Sequence, residues 1–204
     1  MYFHIVSLFP EVYESFLQTS LIKKAIEKGV LSFSSINPRS FCLDKHQQVD
    51  DEIYGGGAGM LMKAKPVIES VESIIQNSKF EIQNNDWKII FVSPSEKIFN
   101  QKIAYQYAGS LKNIIVVNGR YEGIDSRFEQ YMQEKYPMHF EKISLGQFVT
   151  LGGELPSMVM MEAVSRLIPG VIKEEASHLL ESYDPHQNMQ NIEYPQYTRP
   201  EQVE

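Results

Sequence analysis

The chain has 204 residues, 43% hydrophobic and 22% charged, which is the composition of a folded globular protein and excludes a disordered one. The single cysteine, Cys42, cannot form an intrachain disulfide, so a reducing cytoplasmic compartment is expected. The formal net charge of −7 is unlike the basic balance of most nucleic-acid binders, although a local basic cleft can coexist with an acidic remainder.

The apolar runs are too short for a membrane protein. None approaches the roughly 18 to 20 residues that a membrane helix needs. The first ten residues, MYFHIVSLFP, lack a basic n-region and a small-residue cleavage site, so they predict a buried strand and not a signal peptide. We therefore expect no membrane association.

Short apolar strands alternate with helices along the chain. Strands are predicted at residues 2–9, 30–36, 88–92, 113–117 and 140–145. Caps and prolines predict helices at residues 11–17, 20–28 (capped by Thr19), 66–76, from the Asn100 cap to 108, after Asp125, and 156–168. This alternation predicts an α/β fold with a mostly parallel sheet that is covered on both faces.

Two regions lack this pattern. Residues 37–54 form a long polar stretch that leads into the glycine cluster at residues 55–59. Residues 173–204 are polar and contain three prolines, which predicts a long loop or linker.

Three loops directly follow predicted strands: Ser93-Pro94, residues 119–123 and residues 146–153. In parallel sheets, ligands bind outside the carboxyl ends of the strands. We therefore expect the three loops to converge on one ligand, which the pattern alone does not identify.

The common motifs of catalysis are missing from these loops. The glycine cluster is not followed by Gly-Lys-Ser/Thr, and neither GxGxxG between a strand and a helix nor GxSxG occurs. The five histidines show no metal-type spacing, so we assign no metal ligands. The glycine cluster fits either a tight turn with positive φ angles or the close approach of backbone to a ligand. The acidic run Asp50-Asp51-Glu52 fits a solvated loop or, as the alternative, a divalent-ion site.

Six segments occur in one order along the chain: SLFPE, VDDEIYGGGAGMLM, GRYEGID, GQFVTLGGELP, SRLIPGV and YPQYTRPE. Together they closely resemble the bacterial tRNA (guanine-N1)-methyltransferases of the SPOUT class, over essentially the whole chain. The resemblance implies a SPOUT-type α/β domain with a C-terminal deep trefoil knot, in a homodimer with active sites at the subunit interface. It also implies transfer of the methyl group of S-adenosylmethionine to N1 of the guanosine at tRNA position 37, 3′ of the anticodon.

The same resemblance supplies a methyl-donor site on the three loops. Its residues would be Pro94, Gly119, Tyr121, Glu122, Leu145, Gly146, Gln147, Phe148, Val149, Thr150, Gly152 and Gly153. Gln147 departs from the family, which usually carries an acidic residue there. Small residues and bare backbone suit a bent ligand whose adenine edge is bound by main-chain groups.

Two residues are implied as catalytic. Arg166 could form an ordinary helical pair with Glu162, but the resemblance makes it the cation that stabilises the charge developing on guanine. An alignment without gaps places Glu181 at the position of the family's general base, an aspartate, with Asp184 as the alternative.

The resemblance also divides the chain into a catalytic domain, residues 1–170, and a linker, residues 171–204, at the start of a C-terminal tRNA-binding domain. Relatives continue past TRPE into that helical domain, so we expect an intact donor site and dimer here but weak or absent binding and turnover of tRNA. Magnesium is expected, without assigned ligands. The alternatives are a knotted methyltransferase for another RNA position, or a non-catalytic module that binds S-adenosylmethionine or RNA.

Overall fold

The structure is a computed structural model that describes residues 1–78, 84–173, 182–183 and 192–199. The first half contains β1 (Tyr2–Val6), a 3₁₀ turn (Pro10–Tyr13), α1 (Glu14–Leu17), α2 (Ser20–Glu27), β2 (Ser32–Ile36), a 3₁₀ turn (Pro38–Phe41), β3 (Asp50–Glu52), β4 (Met60–Met62) and α3 (Ala64–Ser78). The second half contains β5 (Trp87–Val92), α4 (Gln101–Ser110), β6 (Asn113–Asn118), α5 (Arg127–Lys135), β7 (Phe140–Ile143) and α6 (Glu154–Ser165). Most of the predicted linker lies outside the described residues, so the domain boundary at residue 170 stays a prediction.

Five strands form one sheet in the order β2-β1-β6-β5-β7, and all neighbours are parallel. Phe3 on the inner strand β1 pairs with Phe33 on one side and Ile114 on the other. The predicted mostly parallel sheet is therefore confirmed. All five predicted strands exist, although β1, β2 and β7 are shorter than predicted.

Helices cover both faces of the sheet. Along β5, Ile89 and Phe91 pack into the core beside α3 and α5, while Ile90 and Val92 pack into the core beside α2, α4 and α6. Because successive side chains of a strand point to opposite faces, two buried faces require an apolar residue at every position. This is why residues 89–92 and 114–117 are continuous apolar runs without alternation.

The region of residues 37–62 differs from its prediction. Asp50–Glu52 was expected to be a solvated loop, but these residues form β3, which pairs antiparallel with β4. Their carboxylates are spaced along an edge of a two-stranded hairpin, and the glycine cluster forms its tip. The sequence did not predict this strand for two reasons. Its three residues are all polar, and three residues are too few to show the alternation that marks a strand.

Of the three predicted helix caps, only Asn100 caps its helix through its side chain. Asn100 accepts a hydrogen bond from the Ile103 N–H at 3.1 Å, as predicted. Asp125 accepts from the Arg127 N–H at 2.9 Å, one residue outside the cap position at Ser126. Thr19 holds the cap position of α2, but its hydroxyl donates to the Ser15 carbonyl and does not cap the helix.

Glu141 on β7 joins the sheet to α4 and to the loop after β5. Its carboxylate lies 2.6 Å from the ammonium groups of Lys88 and Lys97, and the Tyr107 hydroxyl donates to it at 2.6 Å. Burial alone would raise the pKa of Glu141, but hydrogen bonds from these three partners outweigh it and hold the pKa below its usual value. A carboxyl whose pKa is depressed on folding stabilises the fold above its unfolded pKa, and that contribution is lost as the pH falls through the folded pKa.

We expect Glu141→Gln to lower the melting temperature by several degrees at pH 7, since about 1 kcal/mol shifts it by about 2–4 °C in a chain of this size. The difference from wild type should shrink as the pH falls below about 4.5, because the wild type then loses the same contribution. Thermal melts of the variant and the wild type at pH 7 and pH 3 measure this difference in melting temperature. An equal difference at both pH values would contradict a stabilising role of the Glu141 charge.

Candidate functional site

The loops after β5, β6 and β7 meet at the carboxyl end of the sheet and enclose a pocket. Its walls are formed mainly by glycines, backbone and apolar side chains. The lining residues are Phe91, Val92, Ser93, Pro94, Gly119, Tyr121, Glu122, Gly123, Ser144, Leu145, Gly146, Phe148, Val149, Thr150, Leu151, Gly152, Gly153 and Pro156. The convergence expected from the strand-end loops is thus present.

Most residues of the predicted donor site lie in this pocket. All of them line it except Gln147, which lies exposed in the same loop. Phe91 and Val92 also line the pocket and were missed, although they are the last residues of β5 and precede Ser93-Pro94 directly. Gly123, Ser144, Leu151 and Pro156 were missed as well. Gly123, Ser144 and Leu151 stand directly beside predicted residues in the chain, and Pro156 lies three residues after Gly153.

Backbone contacts fix the loops relative to one another. The Gly153 N–H donates to the Gly119 carbonyl at 3.0 Å, which joins the loop after β7 to the loop after β6. A Cβ atom added at Gly146 would lie 2.6 Å from a ring atom of Phe148, so the ring packs directly over this glycine. Tyr121 has a φ of 58°, an uncommon conformation for a residue other than glycine that is frequent at functional sites.

Glu122 is the one lining residue with a formal charge among those that the structure describes. Its N–H donates to the Met60 carbonyl at 3.0 Å, so the pocket loop is bonded to the β3–β4 hairpin. A Cβ atom at Gly59 would lie 2.5 Å from Cγ of Glu122. The glycine cluster therefore combines positive φ angles at its tip with a close approach to a pocket side chain. A cationic ligand group would find its counter-charge at Glu122.

A guanidinium contacts Tyr121, one of the residues that line the pocket. Arg39 donates to the Tyr121 hydroxyl at 3.3 Å and to the Gln47 carbonyl at 3.3 Å. Arg39 was not among the predicted site residues, because it lies far from Tyr121 in the chain and only the fold joins them. It places a positive charge beside a pocket-lining tyrosine, in a protein whose net charge is −7.

Arg166 does not line this pocket. It follows the last residue of α6, while the pocket touches the start of that helix, and twelve helical residues span about 18 Å at about 1.5 Å each. Arg166 instead lines a second pocket with Glu162, Phe16, Ser20 and Ile172 among its other walls. One copy of the chain thus places the predicted cation and the predicted donor site at opposite ends of α6.

The predicted bases Glu181 and Asp184 both lie outside the described residues. Within the described ranges, no three His, Cys, Asp or Glu side chains come together as metal ligands do. No described helix is long and apolar enough to cross a membrane.

Comparison with known proteins identifies the family. A profile described as "tRNA (Guanine-1)-methyltransferase TrmD" matches residues 1–204. The chain belongs to this family. A family member from Carboxydothermus hydrogenoformans, named tRNA (guanine-N(1)-)-methyltransferase, is 42% identical over 196 residues, which are 96% of this chain and 70% of that protein. A protein of the same name from Clostridioides difficile is 40% identical over 205 residues, covering 100% of this chain and 82% of that protein.

The family fold is also seen in a solved structure. The crystal structure of a tRNA (m1G37) methyltransferase from Aquifex aeolicus superposes with a TM-score of 0.75 at 28% sequence identity. The match covers 100% of this chain and 78% of that one. The pocket at the carboxyl ends of β5, β6 and β7 therefore lies in the fold of a family of tRNA methyltransferases.

Proposed function

We propose that this chain is an enzyme that transfers the methyl group of S-adenosylmethionine to N1 of the guanosine at tRNA position 37. The observation that carries the proposal is the pocket built from three strand-end loops, in a chain that belongs to the tRNA (guanine-1)-methyltransferase family. The named activity of the Aquifex aeolicus relative supports the position on the tRNA.

The lining of the pocket fits this methyl donor. S-adenosylmethionine combines an adenine ring with a sulfonium and an ammonium group, and it supplies a methyl group activated by the sulfonium. Phe148, Leu145 and Pro156 offer apolar cover for a ring, and the glycines leave backbone groups accessible to its polar edge. Glu122 supplies a carboxylate in a pocket whose other described lining residues are uncharged, which suits a ligand with positive groups.

The reaction needs a base and a cation besides the donor site. Guanine N1 carries a proton at neutral pH, so it becomes nucleophilic as a base removes that proton. We assign this base to Glu181, which takes the proton as the N1–carbon bond forms and the carbon–sulfur bond breaks. We assign Arg166 to the negative charge that spreads towards O6 of the guanine.

We assign the site to a homodimer. In one copy Arg166 and the donor pocket lie at opposite ends of α6, so a second copy is needed to bring the two together. An exposed apolar surface next to the donor pocket supports this assembly, since Val149 and Leu151 are 86% and 90% exposed, and Leu155 and Val159 on α6 are exposed one turn apart.

We also propose the deep trefoil knot of the family. β7 lies at the edge of the sheet beyond β5, yet the segment after it returns to β6, where Gly153 bonds to Gly119. α6 then packs against α4 and β6. This return across the loop after β6 supports a threaded chain.

The test is a methyl-transfer assay with labelled S-adenosylmethionine and two tRNA transcripts that differ only at position 37. Transfer to the transcript with guanosine and none to that with adenosine is the expected result. Transfer to both would point to another RNA position. Binding of S-adenosylmethionine without transfer to either transcript, also after a C-terminal tRNA-binding domain has been added to the chain, would favour a non-catalytic binding module. Calorimetric absence of binding would remove the donor from the pocket. Magnesium titration in the same assay tests the expected stimulation.

The choice of base is tested by exchanging carboxylates for amides. We expect Glu181→Gln to keep the affinity for S-adenosylmethionine and to lose most of the turnover, because the amide cannot accept the N1 proton. The matched variant Asp184→Asn should stay active. Full activity of Glu181→Gln together with an inactive Asp184→Asn would move the base to Asp184.

A further inference from the structure

A buried ion pair lies behind the glycine wall of the pocket. Glu154 is the first residue of α6 and is only 1% exposed. Its Oε2 lies 2.9 Å from Nε of Arg120, and its Oε1 accepts a hydrogen bond from the Ser7 hydroxyl at 2.7 Å. A carboxylate this deeply buried is strongly unfavourable without a counter-charge, so the placement of Arg120 is tightly coupled to that of Glu154.

The pair joins three segments that are distant in the chain. Ser7 follows β1, Arg120 follows β6, and Glu154 opens α6. The Arg120 guanidinium also lies over the ring of Phe9, 4.7 Å from its centre. Ser157, one turn along α6, donates to the Glu154 carbonyl at 2.8 Å and shares a 2.7 Å hydrogen bond with the Tyr13 hydroxyl. The start of α6 is therefore fixed to the segments that follow β1 and β6, two neighbouring inner strands of the sheet.

The same pair touches the pocket wall from behind. A Cβ atom added at Gly152 would overlap Nε of Arg120 and would lie 2.6 Å from Oε2 of Glu154. The next residue, Gly153, bonds to the Gly119 carbonyl at 3.0 Å. Gly152, Gly153 and Gly119 all line the pocket, whereas Arg120 and Glu154 are not among its described lining residues. The ion pair thus sets the distance between the Gly152-Gly153 wall and Gly119 without lining the pocket itself.

We propose that Arg120 and Glu154 are positioning residues of the methyl-donor site, which hold the Gly152-Gly153 wall against Gly119. The identity of the ligand rests on the proposed function, while the positioning role rests on the contacts above. Loss of the pair loosens the wall in the free protein, so binding must reorder it and affinity falls. At saturating donor the wall is reordered, so kcat changes much less than KM.

The test compares Glu154→Gln and Arg120→Lys with the wild type by calorimetric titration of S-adenosylmethionine. Glu154→Gln should raise Kd by about tenfold or more, equivalent to about 1.4 kcal/mol. Arg120→Lys keeps the charge, lacks Nε, and should show a smaller rise, so it serves if Glu154→Gln does not fold. The matched control is Glu72→Gln, which removes a carboxylate bonded to Lys135 and Tyr136 between α3 and α5, away from the donor pocket. It should lower the melting temperature and leave Kd unchanged.

Hydrogen exchange without ligand provides a second readout. The Gly153 amide should lose protection in Glu154→Gln and Arg120→Lys but keep it in Glu72→Gln. Wild-type Kd and wild-type protection in both pair variants would overturn the positioning role, as would an equal rise of Kd in Glu72→Gln. If the wild type binds no S-adenosylmethionine while the exchange pattern appears as expected, the proposed function fails and the positioning role stands.

Discussion

Replacement of Arg166 by alanine is expected to lower kcat for methyl transfer by about 10²–10³-fold, with an unchanged affinity for S-adenosylmethionine. The loss is large because a fixed cation near O6 acts mainly on the charge that develops in the transition state. The donor affinity should be unaffected because we assign Arg166 to the guanine and not to the donor, and within one copy it lies outside the donor pocket. Single-turnover rates at saturating tRNA and donor measure the first effect, and calorimetry measures the second.

Mixing two inactive variants tests whether Arg166 acts on the site of a second copy. Arg166→Ala retains a normal donor pocket, and Gly153→Ala retains Arg166 but has a damaged pocket. If each site combines the two from different copies, a mixed dimer holds one intact site. Roughly a quarter of the wild-type activity should then return, since about half of the dimers are mixed. Recovery no greater than the sum of the separate variants would place Arg166 and the donor in the same copy.

Gly153→Ala is expected to abolish detectable binding of S-adenosylmethionine and to destabilise the fold by about 1–3 kcal/mol. The added Cβ would lie 2.9 Å from Oδ1 of Asn118 and 3.0 Å from its Cα. Gly153 has an ordinary helical φ of −78°, so an alanine is compatible with its backbone and the effect is purely steric. Asn118 cannot move aside easily, because it is fully buried and its amide donates to the Val6 carbonyl at 3.0 Å.

Gly109→Ala is the matched control for this substitution. Gly109 lies in α4, and a Cβ there meets nothing within 4 Å. The alanine should stabilise the helix by about 0.5–1 kcal/mol and leave donor binding unchanged. Thermal melts and calorimetry on both variants separate a clash at the pocket from a general effect of removing glycine. Normal donor binding by Gly153→Ala would show that the wall tolerates displacement.

The sequence predicted those elements whose local pattern of apolar and polar residues matches their burial in the fold. The runs at residues 89–92 and 114–117 are apolar at every position, and this pattern persists because both sheet faces are covered. The Asn100 cap was also readable, since capping depends on residues within one helical turn. The β3–β4 hairpin was not, because three acidic residues pair with Met60–Met62 across a glycine tip and neither strand is long enough to show a period.

The candidate site likewise has features that the sequence predicted and features that it did not. The three strand-end loops were located from the order of the elements, because parallel strands bring their carboxyl ends to one edge. Their ligand was not contained in that pattern and came from the family motifs. Arg39 beside Tyr121, and Arg120 beside Glu154, were invisible in the sequence, since each contact joins residues that only the folded sheet brings together. The residues next to a charged side chain on a short loop do not predict which distant residue it will contact.

The position of β1 in the sheet has a consequence for biosynthesis. β1 is made first, yet it is an inner strand, and Phe3 needs Ile114 of β6 as its neighbour. Sheets assembled from such distant segments fold slowly, because the intervening chain must close into a loop before the pairing contributes. While translation proceeds at about 5–20 residues per second, a nascent chain that has not reached β6 leaves the apolar edge of β1 unpaired. We therefore expect the emerging polypeptide to be most prone to aggregation through its first strand until Asn113–Asn118 has been made.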